Sequence, residues 1–157
     1  MKTRTIALTM TLCLVAGAVC LAGDMSTVNM GTWKLNETKS NFAPGATKNH
    51  IVMYESVKGS IKVTVDGTTS DGKPAHNEWT GKFDGKDYAV TGDPGTDMRS
   101  YKKIDDRTLE LTTKKNGKVV TSGRIVISAD GKTRTVTTTT TDSKGMTMKN
   151  AAVYDKQ

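Results

Sequence analysis

Short turn-forming dipeptides punctuate this chain at close intervals: Asp71-Gly72, Asp84-Gly85, Asn116-Gly117, Asp130-Gly131 and Lys144-Gly145. Asp-Gly and Asn-Gly tolerate the positive φ that tight hairpin turns need to match the twist of their strands. The runs between them are short and alternate apolar with polar residues, as in Ser60-Ile61-Lys62-Val63-Thr64-Val65-Asp66 and Thr108-Leu109-Glu110-Leu111-Thr112. That period suits half-buried strands, and no helical period persists after Gly23. Strands are expected at 31–36, 50–58, 60–68, 75–83, 87–91, 98–104, 107–114, 118–128, 133–141 and 146–155. The recurrent Asp-Gly-Lys at 71–73, 84–86 and 130–132 offers one carboxylate per turn. Calcium wants six to eight oxygens, so these read as turns.

Neighbouring strands joined by hairpins make a meander. So long a meander in a small protein leaves edges that invite aggregation, and closing it into a barrel removes them. The expected fold class is therefore all-β, an antiparallel up-and-down barrel of about 8–10 strands. Composition agrees. Of the 157 residues 35% are hydrophobic, and without residues 1–22 that share falls to ~30%, low for a helical bundle and suited to a Thr-rich β protein. The length is that of one domain. The longest connection, 37–48, contains the helix breaker Pro44-Gly45 and is expected to cross one end of the barrel with Phe42 tucked in.

Alternation also assigns faces. Trp33 and Leu35 share one, as do Trp79, Gly81 and Phe83, which leaves His76, Glu78, Thr80 and Lys82 facing water. Met146, Met148, Ala152 and Tyr154 share a face with Asn150. The Thr135–Thr141 run brings few large apolar groups, so the lumen is expected to be only partly apolar.

At the start of the chain, Lys2 and Arg4 precede an uncharged run from Ile6 to Ala22 that ends in small residues before Asp24. A basic start, an apolar middle and a small-residue exit describe a secretory signal peptide, expected as an N-terminal helix over 1–22. The organisation expected is then a signal peptide at 1–22, a flexible segment at 23–30 and a barrel domain at 31–157, located in the periplasm or outside the cell. Gly17-Ala18-Val19 before Cys20 fits a lipobox poorly. Both cysteines, Cys13 and Cys20, fall within the signal, so the exported chain would hold no disulfide or thiolate site. Loss of Lys2 and Arg4 lowers the formal charge from +7 to +5. The remaining lysines are scattered and aromatics are only 5%, which argues against a nucleic-acid platform.

The strand Gly31-Thr32-Trp33-Lys34-Leu35 resembles the Gly-x-Trp opening strand of the calycins, the superfamily of lipocalins and fatty-acid-binding proteins. The ending Val153-Tyr154-Asp155-Lys156 looks like the terminal strand of the fatty-acid-binding proteins. Gly31-Thr32-Trp33-Lys34-Leu35-Asn36 followed by Lys-Ser-x-Phe-x-Pro-Gly at 39–45 is similar to secreted bacterial lipocalin-like proteins. The resemblance implies a calycin-like barrel with Gly31 and Trp33 as structural residues, Trp33 closing one end. Fatty-acid-binding proteins insert a helical lid after the first strand, for which 37–48 is too short. They also clamp the ligand carboxylate with an Arg-x-Tyr pair on the last strand. Here that pair is Ala152-x-Tyr154, and a second family arginine would correspond to Arg124, whose facing competes with Ile125 and Ile127. Fatty-acid specificity is therefore not implied.

The function expected is non-catalytic binding of a small, partly hydrophobic molecule inside the barrel. Trp79, Phe83, Tyr88, Met146 and Met148 would supply apolar area, while Tyr154, Asn150 and Arg124 orient a polar end. The alternative is a ligand-free barrel acting as an interaction or inhibitor module through its loops or residues 24–30. His50 and His76 lack metal spacing, and no Gly-x-Ser-x-Gly, His-Glu-x-x-His or phosphate loop occurs. No metal, cofactor or catalytic residue is expected. Loop carboxylates Asp93, Asp97, Asp105 and Asp106 are a minor cation candidate. The expected partner is a small amphiphile or hydrophobic molecule bound by a monomer, with no nucleic acid and no stable membrane insertion after signal removal.

Overall fold

The computed structural model describes residues 25–141 and 145–157. Expectations for the export segment, its cysteines and its cleavage lie outside these residues. Ten strands follow a short α1 (Met25–Val28): β1 (Gly31–Leu35), β2 (Lys48–Val57), β3 (Ser60–Thr68), β4 (Pro74–Gly81), β5 (Tyr88–Thr91), β6 (Met98–Lys103), β7 (Thr108–Lys115), β8 (Lys118–Ile127), β9 (Thr133–Thr141) and β10 (Thr147–Lys156). Each strand pairs antiparallel with its sequence neighbours, and β1 pairs with β10, so the sheet closes into an up-and-down barrel. Every one of the ten expected strands is present, with ends shifted by a residue or two.

The hairpins use their sequence chemistry directly. Asp84 Oδ1 accepts from Lys86 N and Asp130 Oδ1 from Lys132 N, each at 3.0 Å. Lys73 N likewise helps depress the Asp71 carboxyl, after Lys73 Nζ and the Thr69 hydroxyl. The repeated Asp-Gly-Lys is thus an Asx-type turn in which glycine takes the positive φ, 80° at Gly72 and 78° at Gly85.

The 37–48 connection holds one 3-10 turn (Glu37–Lys39) and no helical lid. Asn41 bridges to Ala151, and the half-buried Phe42 packs against the core beneath Lys48 Nζ.

Residues 25–30 correct an expectation. They are not a loose arm but a plug under the barrel. Met25 and Asn29 are fully buried, Trp33 Nε1 donates to Asn29 O at 2.9 Å, and Lys156 Nζ donates to Val28 O at 3.1 Å. Lys156 Nζ also lies 5.2 Å from the Trp33 ring centroid. The plug makes this end the floor. The other end, the mouth, is ringed by the β3–β4 turn, the β5–β6 loop and the start of β2.

Above the plug the core is aromatic. Tyr101 meets Trp79, Phe83 and Tyr54 edge to face, at 4.8, 5.8 and 6.5 Å between centroids, geometries that the ring quadrupoles favour. Gly81 makes room for this cluster, since a Cβ there would lie 2.6 Å from the rings of both Trp79 and Tyr88. Gly81→Ala is therefore expected to overpack the barrel and lower unfolding stability by roughly 1–3 kcal/mol. Urea melts compared with wild type measure this, and an unchanged midpoint contradicts the packing described.

Candidate functional site

Above the aromatic floor the barrel encloses a cavity of about 530 Å3 that reaches the mouth. Strand phase decides its lining. On β9, Arg134, Val136, Thr138 and Thr140 turn inward while Thr135, Thr137 and Thr139 turn out. β6 contributes Arg99 and Tyr101, and β4 contributes Asn77. The apolar share comes from Val52, Val65, Leu111, Ile125, Val136 and Met148. The wall is thus apolar on some strands and carries hydroxyl, amide and guanidinium groups on others.

Two arginines dominate the electrostatics. Arg134 is only 2% exposed. Its Cζ lies 4.6 Å from the Tyr154 ring centroid and 5.2 Å from those of Trp33 and Tyr54. Register explains part of the cage, because Arg134 sits directly opposite Tyr154 and Tyr154 directly opposite Leu35. Cation–π attraction offsets part of the cost of burying the charge. It supplies no hydrogen-bond acceptor, and Nε and Nη1 of Arg134 are buried with no such partner. Arg99 is 7% exposed and donates from Nη2 to Asn77 Oδ1 at 3.0 Å. Beside it Thr113 Oγ1 is buried and unpartnered.

The tyrosines respond to this enclosure. Burial, with Tyr54 beside it, drives the Tyr101 hydroxyl far above the ordinary tyrosine range against the opposing charges of Arg99 and Arg134. Burial pushes Tyr154 up to about 12, again opposed by Arg134.

Of the residues expected to bind a ligand, Met148, Asn150 and Tyr154 lie on the cavity wall. The Asn150 carbonyl already accepts from Ala43 N at 2.8 Å, which anchors the 37–48 connection. The others need correction. Arg124 is exposed on the outer face because Ile125 and Ile127 take the interior. Trp79 is inward but sits below the cavity, its Nε1 donating to Arg99 O at 2.9 Å. Tyr88 packs against Trp79 and donates its hydroxyl to Asp84 Oδ2. Phe83 lines a separate surface groove beside Met30 and Ile61 at the floor end. Met146 is 61% exposed in the turn before β10. Gly31 and Trp33 hold structural places, Gly31 with φ +99° and Trp33 fully buried above the plug.

Arg134, Arg99, Tyr54 and Tyr101 were not expected in the site. A signal for them existed. Arg134 is in phase with Val136, Arg99 with Tyr101, and Asn77 with Trp79, so each polar residue shares a face with an apolar one.

His50 contacts Thr68 Oγ1, and His76 pairs with Asp66 on the surface. Asp93, Asp97 and Asp105 accept main-chain N–H groups within loops. Among the described residues no three His, Cys, Asp or Glu side chains gather as a metal-binding group, and no helix is long and apolar enough to cross a membrane.

These features define a closed ten-stranded antiparallel barrel with an internal cavity. No protein-family model matches the chain, and no curated protein matches its sequence. Solved structures with a similar fold include a redesigned β barrel, mFAP1, bound to DFHBI, at 17% identity and TM-score 0.50 over 85% of this chain and all of that one. EF1p2_mFAP2b bound to DFHBI aligns over the same shares at 13% identity and TM-score 0.49. At such identity the likeness to mFAP1 is one of fold.

A tyrosine whose folded-state pKa is raised stabilises the fold fully below its unfolded pKa, near 10, and ceases to do so as pH rises through the folded value. Stability is therefore expected to fall between about pH 10 and 12 as Tyr154 is forced to ionise. An ultraviolet tyrosinate titration should show fewer groups ionising near pH 10 in the folded protein than in guanidinium. Equal numbers in the two states contradict the buried placement.

Proposed function

We propose that this protein is a non-catalytic carrier or sensor that holds a small, partly apolar molecule in the barrel cavity. The observation that carries the reading is the cavity itself. At about 530 Å3 it falls within the range of ordinary ligand sites, and its combination of apolar wall and a few convergent polar groups is what such sites use. The apolar body of a ligand would lie against Val65, Leu111, Ile125 and Val136. Its polar end would meet Arg134, whose buried Nε and Nη1 lack acceptors, and Tyr154 beside it. Ligands of a secreted barrel enter from the periplasm or medium, and the export pattern of residues 1–22 supports that location. The redesigned barrel mFAP1, which binds DFHBI, supports the reading by showing that a comparable fold can hold a small molecule.

The interaction-module alternative loses its simplest form, since residues 25–30 are packed under the floor rather than offered as an arm.

The test is saturable binding of the fluorophore 1-anilinonaphthalene-8-sulfonate, with Thr138→Phe as a variant that fills the cavity from its wall. Wild type is expected to bind one dye per chain, and Thr138→Phe to lose at least tenfold in affinity while retaining its far-ultraviolet circular dichroism. Native mass spectrometry of protein taken from the exporting cell should show a co-purifying small molecule. Dye binding that is absent, or unchanged when the cavity is filled, contradicts the reading.

A further inference from the structure

We infer that the occupant of the cavity is a dianion, an apolar frame carrying two separated acidic groups, one met by Arg134 and the other by Arg99. The inference rests on the cavity-binding reading and specifies its chemistry.

Both guanidinium groups belong to one enclosure, and neither can shed its charge as a lysine could. Among the described residues no carboxylate forms an ion pair with either. The one acid on the cavity wall among the described residues, Asp93, lies in the loop at the mouth, with its oxygens committed to Gly95 N and the Thr96 hydroxyl. Two like charges therefore line one half-open cavity, whose protein walls screen their repulsion less than bulk water does. A buried charge is tolerated when it is paired and hydrogen-bonded, and here the chain supplies half of that. Arg134 has its aromatic cage but two N–H groups without acceptors. Arg99 has the Asn77 carbonyl, a neutral partner. What both lack is negative charge with acceptor oxygens.

The positions favour two acidic groups over one. Arg134 on β9 is clasped by Trp33, Tyr54 and Tyr154, whereas Arg99 on β6 is held from β4 by Asn77. Tyr101, in contact with Tyr54, lies within electrostatic reach of both arginines. Arg134 is level with Ile127 and Arg99 with Thr113, both on the wall of one cavity, so the proposed molecule extends from one cation to the other. Its frame would meet Leu111, Ile125 and Val136.

The experiment is displacement of 1-anilinonaphthalene-8-sulfonate at low salt by three competitors: naphthalene-2-carboxylate, naphthalene-2,6-dicarboxylate and inorganic phosphate. The dicarboxylate is expected to bind on the order of tenfold or more tighter than the monocarboxylate, and more steeply with falling salt. Arg99→Gln should erase that difference while leaving dye binding measurable. Arg134→Gln should do the same, and Arg134→Lys should restore part of it. Because Arg134 variants disturb the aromatic cage, Arg99→Gln carries the test if they fail to fold. Equal affinities for the two naphthoates overturn the dianion, even where dye binding shows that the cavity accepts ligands. Phosphate competing as well as the dicarboxylate overturns the two-centre arrangement. A dicarboxylate preference that survives Arg99→Gln does so as well.

Discussion

The ladder between the first and last strands is the constraint on which everything else depends. β1 and β10 meet in one register, Trp33 opposite Lys156, Lys34 opposite Asp155 and Leu35 opposite Tyr154. That register sets Leu35 beside Tyr154, which β9 in turn pairs with Arg134, and lets Lys156 reach both the Trp33 ring and the plug. Side chains outside the ladder reinforce the seam. Asn36 Nδ2 donates to Asp155 Oδ2 at 2.6 Å, which with Lys39 nearby holds the Asp155 carboxyl below the usual range. Without the seam, β1 and β10 would be edge strands of an open ribbon and the interior arginines would be solvated.

Closure also explains why the interior is graded. Strands running from floor to mouth place Trp33, Val63, Trp79, Leu109 and Ile127 low, among the most deeply buried side chains. Higher up the same faces carry Thr113, Thr121, Thr138 and Thr140. Aromatic packing fixes the floor, and the threonine-rich upper wall leaves space because small side chains from opposite strands do not meet. The two arginines span this gradient, Arg134 level with Ile127 on the low side and Arg99 level with Thr113 on the high side, and both are buried while lining the cavity.

Much of this was legible in the sequence. Turn dipeptides and period-two runs located ten strands, and the cost of open edges argued for closure. The placement of candidate residues was legible only in one dimension. Alternation tells which face a side chain takes but not its height along the barrel. Trp79 and Met148 both face inward, yet one lies under the cavity and the other on its wall, because height depends on the register of all ten strands. Arg124 failed on phase, since Ile125 and Ile127 supply more apolar area and take the interior. Arg134 was readable from Val136, but a charged residue in a Thr-rich strand invites an outward assignment until something shows what would stabilise it inside. The plug was unreadable for another reason. Four residues of helix leave no periodic signal, and Met25 and Asn29 are buried by tertiary contact alone.

The seam can be observed directly. Asn36 N donates to Val153 O and Gln157 N donates to Thr32 O, so Trp33/Lys156 and Leu35/Tyr154 are the non-hydrogen-bonded pairs between them. In an antiparallel ladder such pairs bring their α-protons close together. Nuclear Overhauser spectra of the folded protein should show strong α-proton cross-peaks for Trp33 with Lys156 and for Leu35 with Tyr154. Their absence, or cross-peaks matching a register shifted by one residue, would mean that the barrel is not closed as described.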